Sequence, residues 1–334
     1  MLKRKSKYDI LAIGDITTDI FIRLEDAKLH CKIDDTNCEL CVRFGDKIPY
    51  KETREIYAVG NAPNASVCFA KLGLKSAILT NIGNDDRGKK CLTTLKKKKV
   101  STKLVKKERN KETNCHFVLS YDKDRTILVK HSLFNYHLPR LPRVSWIYLS
   151  SLAENSIPYH KMIIKYLEKH PEIKLAFSPG TFQIKIGAEK LKEIYKRTYA
   201  FFSNIEEAEK ILGLETKDPL TLGKGIHKLG PKIVVISNGE EGAYLYYNDS
   251  LWHIPVYPNN NPVLDRTGAG DSFASTIVSA LAIGLPPTEA FMWGPINPMS
   301  VVQKVGAQEG LLNRKELLKY LKESPNNYKP KKLK

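Results

Sequence analysis

Residues 265–271 read Asp-Arg-Thr-Gly-Ala-Gly-Asp, a stretch whose residue types suit the handling of an anion together with a proton. Gly268, Ala269 and Gly270 carry little or no side chain, so their backbone N–H groups can approach a negative group closely. The apolar run from Phe273 to Ile283 is compatible with a helix, which puts the loop at a helix N-terminus. There the unpaired N–H groups and the helix dipole both favour negative charge. Asp271 falls on the first turn, placed to take a proton from an attacking hydroxyl while the amides hold a phosphoryl group. Gly-Ala-Gly-Asp alone would equally serve as an ordinary helix start with Asp as a cap.

Four other groupings could do related chemistry. Gly60-Asn-Ala-Pro-Asn64 offers two side-chain amides, Asn61 and Asn64, at a helix start, with donors and acceptors enough for several hydroxyls. Gly14-Asp15-x-x-x-Asp19 follows the first apolar run, on the edge where open α/β sheets bind ligands. Asn204-Ile-Glu-Glu207 follows another such run. One Glu and one amide suit Mg²⁺, which keeps several waters, although the same residues make a good helix start. Ser237-Asn-Gly-Glu-Glu-Gly242 contains the Asn-Gly pair of a hairpin turn.

The seven residues 265–271 resemble the second signature of the ribokinase (PfkB-type) carbohydrate kinases. That resemblance implies Asp271 as catalytic base and the Gly268, Ala269 and Gly270 amides as an anion hole. The spacing of Asn64, Ser66, Gly73 and Gly83 is similar to the first signature, with Gly60, Asn61 and Asn64 on the acceptor; Val59 departs from the usual Gly or Ala. Asp15 looks like the Asp that gathers two acceptor hydroxyls, with Asp19 as its neighbour. Asn204 and Glu207 are similar to the family's Asn-x-x-Glu motif, Glu207 reaching Mg²⁺ through water. Ser237, Asn238, Gly239 and Gly242 resemble the nucleotide-side loop. Asn297 and Val305-Gly-Ala-Gln308 fall where the family walls the adenine pocket, but Pro295 and Pro298 should distort any helix there. Thr267 and Asp265 lie where relatives often hold a monovalent cation such as K⁺. Arg266 stands there in place of a small residue, and Ser275-Thr276 in place of a small pair.

The implied reaction is in-line transfer of the γ-phosphoryl of ATP to a hydroxyl, assisted by Mg²⁺. The expected acceptor is a free sugar such as ribose, fructose or a keto-deoxy acid. A nucleoside is the alternative, with Phe117, Tyr121, Phe134 and Tyr136 available to stack a base. A non-catalytic, basic RNA-binding descendant is a third reading. A nicotinamide dehydrogenase would need Gly-x-Gly-x-x-Gly after the first strand, where this chain has Gly14-Asp-Ile-Thr-Thr-Asp19.

These residues need a scaffold. Strands are predicted at Ile10–Ile13, Ala77–Ile82, Val144–Leu149, Lys174–Phe177, Ala200–Ser203 and Ile233–Ser237. Their nearly continuous apolar runs suit strands buried on both faces of a parallel sheet. Helices are predicted at Ala62–Leu72, Arg87–Lys98, Pro158–Lys169, Glu189–Arg197, Glu206–Leu212, Leu220–Leu229, Ser272–Ile283 and Arg314–Leu321. The succession argues for a doubly wound α/β/α sandwich, ribokinase-like by the resemblance, as one kinase domain over 1–334. Two regions break the rhythm. Residues 15–58 hold a long polar, Cys-bearing excursion, and 115–131 read as a hairpin turning at Asp122-Lys-Asp-Arg. Segments of about 15–58 and 112–133 are expected to form a small β lid that keeps water from competing with the acceptor. An exposed lid edge would suit pairing with a second copy as a homodimer.

The formal net charge is +18, which raises a nucleic-acid partner as a reading. Lys is spread along the chain, with clusters only at 96–99 and 329–334 and no aromatics between them, so a solvated surface is expected and no specific nucleic acid. The six Cys include Cys38-Glu-Leu-Cys41 with His30 and Cys31 nearby, a weak zinc pattern. Free thiols in a reducing compartment are expected instead. No apolar run nears the ~18–20 residues that span a bilayer, and the N-terminal segment is too short for a signal peptide, so a cytoplasmic protein is expected.

Overall fold

The computed structural model describes residues 7–31, 38–121, 124–259 and 261–334. Its centre is a nine-stranded sheet in the order Lys331–Lys332, Ser250–Ile254, Ala243–Tyr247, Ile233–Ser237, Thr198–Asn204, Lys174–Phe177, Val144–Leu149, Tyr8–Ile13, Ser76–Leu79. Pairing is parallel from Ser76–Leu79 through Ile233–Ser237, and antiparallel beyond. Alternate residues of one strand serve opposite layers. Ile10 and Ala12 pack with the helices Asn61–Lys71 and Ala269–Ala282, while Leu11 and Ile13 pack with Ile157–Glu168 and Ile205–Leu212. Burial on both faces explains why these strands read as unbroken apolar runs.

Tyr8–Ile13 lies between Ser76–Leu79, reached first by the chain, and Val144–Leu149, reached later. The winding therefore reverses beside this strand, and Gly14-Asp15 leaves it at the switch point where such sheets form crevices.

A second sheet of four strands grows from the same place, in the order Asp124–Lys130, Asn114–Tyr121, Thr17–Leu24, Tyr50–Val59. Thr17–Leu24 follows Asp15 directly, and Tyr50–Val59 runs into Gly60 and the helix Asn61–Lys71. The predicted hairpin is present, with Cys115 opposite Lys130; residues 122–123 of its turn lie outside the described residues.

Several expectations need correction. The strand predicted at Ala77–Ile82 is two: Ser76–Leu79 in the main sheet, and Asn81–Gly83 pairing with Lys106–Glu108. The helix predicted at Glu189–Arg197 starts at Lys192, and the short helices Thr181–Ile186 and Pro287–Trp293 were not predicted. Pro295 and Pro298 do not break Ile296–Val301, because one caps it and the other sits in its first turn, where no intrahelical N–H bond is lost. Cys31 and Cys38 form a disulfide rather than staying free. The ribbon Lys28–His30 and Glu39–Cys41 sets His30 opposite Glu39, which brings those two thiols together. Cys41, Cys68, Cys91 and Cys115 are free, and no His/Cys/Asp/Glu group among the described residues could hold zinc. No helix among them is long and apolar enough to cross a membrane.

Candidate active site

The helix Ala269–Ala282 begins at Gly268, whose φ of 80° is left-handed; a Cβ there would overlap Ala307. Only glycine fits that turn. Gly270 is the opposite case, since a Cβ on it would meet nothing within 4 Å. Asp271 follows on the first turn. Asn61 Nδ2 donates to its Oδ1 and Asn64 Nδ2 to its Oδ2, each at 2.7 Å. The first and second signatures thus meet at one carboxylate, about two hundred residues apart in sequence (207 for Asn64).

Asn64 is fixed in turn. Gln308 Nε2 donates to Asn64 Oδ1 at 2.8 Å and to the Ala58 carbonyl at 2.7 Å, so the Asn64 amino group faces Asp271. Gln308 therefore braces Asn64, and through it the amide that holds Asp271. Ala58 is held at a φ of 63°, and its N–H donates to Cys91 Sγ at 3.3 Å.

A cavity of about 120 Å³ lies at the ends of the parallel strands, lined by Asn61, Asn204, Glu207, Ser237, Gly270 and Asp271 among others. Asn204 and Glu207 form a reciprocal capping box at the start of Ile205–Leu212, with bonds of 2.7 and 3.0 Å. The helix-start reading of that motif is thus observed, and both residues also line the cavity. Ser203 Oγ, from the same lining, is buried without a hydrogen-bond partner. Burial raises the pKa of Asp271, against the lowering effect of the Asn64 and Asn61 amides. Glu207 is also raised, first by burial and further by the Asp271 charge, with the Asn204 N–H opposing. Two carboxylates on one cavity, an orphaned hydroxyl and a helix N-terminus suit a phosphate with a hydrated Mg²⁺.

Asp15, 6% exposed, is covered by Tyr136, whose hydroxyl lies 2.8 and 2.9 Å from its two oxygens. His131 Nδ1 stands 3.7 Å from Asp15, His116 Nδ1 stands 3.3 Å from Asp19, and the two imidazole Nε2 atoms are 3.2 Å apart. Asp15 and Asp19 are therefore flanked by two mutually hydrogen-bonded histidines from the second sheet and the segment after it. Sequence reasoning missed both, because their only signal is contact with distant residues.

Ser237 lines the cavity, while Asn238 Nδ2 donates to Glu241 at 2.6 Å within the turn Gly239–Glu241. Gly239 (φ 53°) and Gly242 (φ 94°) shape that turn. Arg266 points away from the loop to Glu240 at 2.8 Å. Asn297 is not brought to the site. It is fully buried, donating to Thr276 Oγ1 at 2.8 Å and accepting from the Leu312 N–H at 2.8 Å. That pairing gives Thr276 a structural role.

Asp265 Oδ1 accepts from the Thr267 N–H at 2.9 Å, the Thr267 hydroxyl at 2.6 Å and Arg125 Nη1 at 2.5 Å, and Oδ2 accepts from the Gly306 N–H at 2.9 Å. A carboxylate ringed by donors, one of them cationic, does not fit a monovalent metal ion.

The doubly wound sheet, its glycine loop and the four-stranded sheet beside the switch point make up a ribokinase-like fold. The chain matches the family model described as pfkB family carbohydrate kinase over residues 27–314, and it belongs to that family. It is 24% identical over 250 residues to an uncharacterized sugar kinase of Archaeoglobus fulgidus, covering 73% of this chain and 97% of the relative. Arabidopsis thaliana ribokinase, solved with ribose and ATP, superposes with a TM-score of 0.78 at 20% identity over 94% of this chain and 99% of that one. The Methanocaldococcus jannaschii nucleoside kinase gives 0.77 at 20% identity, over 96% and 100%.

Proposed function

We propose that this kinase moves the γ-phosphoryl of ATP to a hydroxyl of a small neutral sugar, with Asp271 as general base. The observation that carries this is the Asp271 carboxylate, held by Asn61 and Asn64 at the head of the Gly268–Gly270 loop and facing the same cavity as Glu207. The acceptor oxygen forms a bond to phosphorus as the bond from phosphorus to the ADP oxygen breaks. The acceptor proton passes to Asp271. First-turn N–H groups hold the phosphoryl oxygens, and the two amides keep Asp271 aimed and favour its ionised form against the effect of burial. Asn204 and Glu207 would hold Mg²⁺ through water, and the ion would offset phosphate charge. Asp15 collects acceptor hydroxyls, and the second sheet acts as a lid that excludes water.

The sugar reading is favoured over a nucleoside by the aromatics. Phe134 is fully buried, and Tyr136 is committed to Asp15 while its ring stacks on Tyr159 at 5.3 Å. Two of the four rings that were to stack a base are thus engaged. A non-catalytic RNA-binding descendant would have little reason to keep Asp271 held by Asn61 and Asn64 at the glycine loop.

Asp271→Asn is expected to lower kcat by roughly 10²–10⁴-fold while thermal unfolding shows an intact fold. Turnover within about tenfold of wild type would remove Asp271 as the base. An ADP-release panel identifies the acceptor. Saturation by ribose, fructose or a related sugar is expected, and saturation by adenosine, cytidine or guanosine alone would replace the sugar reading.

A further inference from the structure

Asp265 is 7% exposed, and one of the donors around it, Arg125, is charged. Arg125 belongs to Asp124–Lys130, the outer strand of the second sheet, 140 residues from its partner. We propose that the Arg125 guanidinium is a built-in cation for the phosphate loop, neutralising Asp265 and latching the outer hairpin to residues 265–267, so that phosphoryl transfer needs no monovalent ion. This rests on reading 265–271 as the phosphate loop.

An alkali ion is held by oxygens pointing at it. The Asp265 oxygens already receive N–H and O–H groups, so an ion would have to displace a tethered cation and its hydrogen bonds. A guanidinium supplies charge and directional donors together, and chain connectivity keeps it at the site. The side chains are 31% exposed for Arg125 and 5% for Asp265, which shields the pair more than an open surface salt bridge. Burial would push the Asp265 carboxyl upward, but the Thr267 and Gly306 donors and the Arg125 charge outweigh it and hold the pKa below its ordinary value.

The tether also links two parts of the site. The strand carrying Arg125 pairs with Asn114–Tyr121, which carries His116 beside Asp19. One hairpin thus reaches the phosphate loop through Arg125 and places His116 beside Asp19 on the other side of the site. A freely exchanging ion could not couple them.

Two measurements on the full chain test this. In tetramethylammonium buffer, added KCl at matched ionic strength is expected to change wild-type kcat/KM by less than about twofold. Arg125→Ala is expected to lose about tenfold without K⁺ and to recover part of that loss with K⁺ or guanidinium. In thermal unfolding without ATP or acceptor, KCl should raise the Tm of Arg125→Ala above its value in tetramethylammonium chloride and leave wild type unmoved. Strong activation of wild type by K⁺, or an Arg125→Ala variant matching wild type in both measurements, would overturn the proposal. The unfolding measurement needs no turnover, so an error in the catalytic reading shows separately, as an active Asp271→Asn.

Discussion

At the scale of single residues, the site depends on which way one amide faces. Asn64 has a donor end and an acceptor end, and only the donor end stabilises ionised Asp271. Gln308 settles the choice by donating to Asn64 Oδ1, with Asn64 5% and Gln308 3% exposed. Gln308→Leu should free Asn64 to rotate, weakening the support that opposes the burial-driven rise in the Asp271 pKa. A base works only when ionised, so a higher pKa moves the acid limb of the kcat profile to higher pH. A shift of about one pH unit is expected, equivalent to about 1.4 kcal/mol. Glu207 and Tyr148 also sense the Asp271 charge. In an Asn64→Ala background, Gln308→Leu should move the limb no further, and a full extra shift there would show that Gln308 does not act through Asn64. Asp271, Asn61 and Asn64 were legible because each sits in a short motif. His116, His131 and Arg125 were not, and Gln308 and Tyr136 were read for other roles, because each makes a long-range contact that leaves no local spacing. The sequence also assigned Asn297 to the adenine wall, and its position says only that it lies near the C-terminal helices.

At the scale of elements, the strands were read best where both faces are buried. Val144–Leu149, Lys174–Phe177 and Ile233–Ser237 have the predicted limits, since a run apolar on both sides admits little else. Ala77–Ile82 failed because apolarity does not reveal that the chain leaves one sheet for another at Thr80. The helix Ala269–Ala282 was anticipated three residues late, since a glycine-rich first turn gives no helix signal of its own. Its two glycines do different things. Gly268→Ala must accept a left-handed backbone and an overlap with Ala307, and should lose roughly 1–3 kcal/mol, read as a lower urea midpoint, together with activity. Gly270→Ala meets nothing within 4 Å, so its midpoint should hold while the new methyl crowds the cavity and raises the KM for ATP. Equal stability losses in the two variants would show that the loop geometry does not separate fold from function in this way.

At the scale of the whole molecule, part of the positive charge behind the net +18 is gathered in one cleft. Five lysines, Lys7, Lys75, Lys96, Lys99 and Lys103, line a cleft of about 670 Å³ together with Tyr8 and Ser76. Tyr8 and Ser76 begin their strands, whereas Asp15, Asn204 and Ser237 end or follow theirs. The basic cleft and the catalytic cavity therefore occupy opposite ends of the parallel sheet. Tyr8–Ile13 has 6 residues, so those ends are separated by about 15–20 Å along the strand. Charges in salt of physiological strength are screened over about 8 Å, so the lysine cleft cannot attract ATP to Asp271 under those conditions. Polyanion affinity and catalysis should then come apart. Changing Lys96, Lys99 and Lys103 together to Glu is expected to move elution from heparin to clearly lower salt, because fewer counterions are released on binding. The same variant should keep kcat/KM for ATP within about twofold of wild type at physiological salt. A parallel fall in both would mean that the cleft's field reaches the phosphate loop after all, and that the two ends of the sheet act as one electrostatic unit.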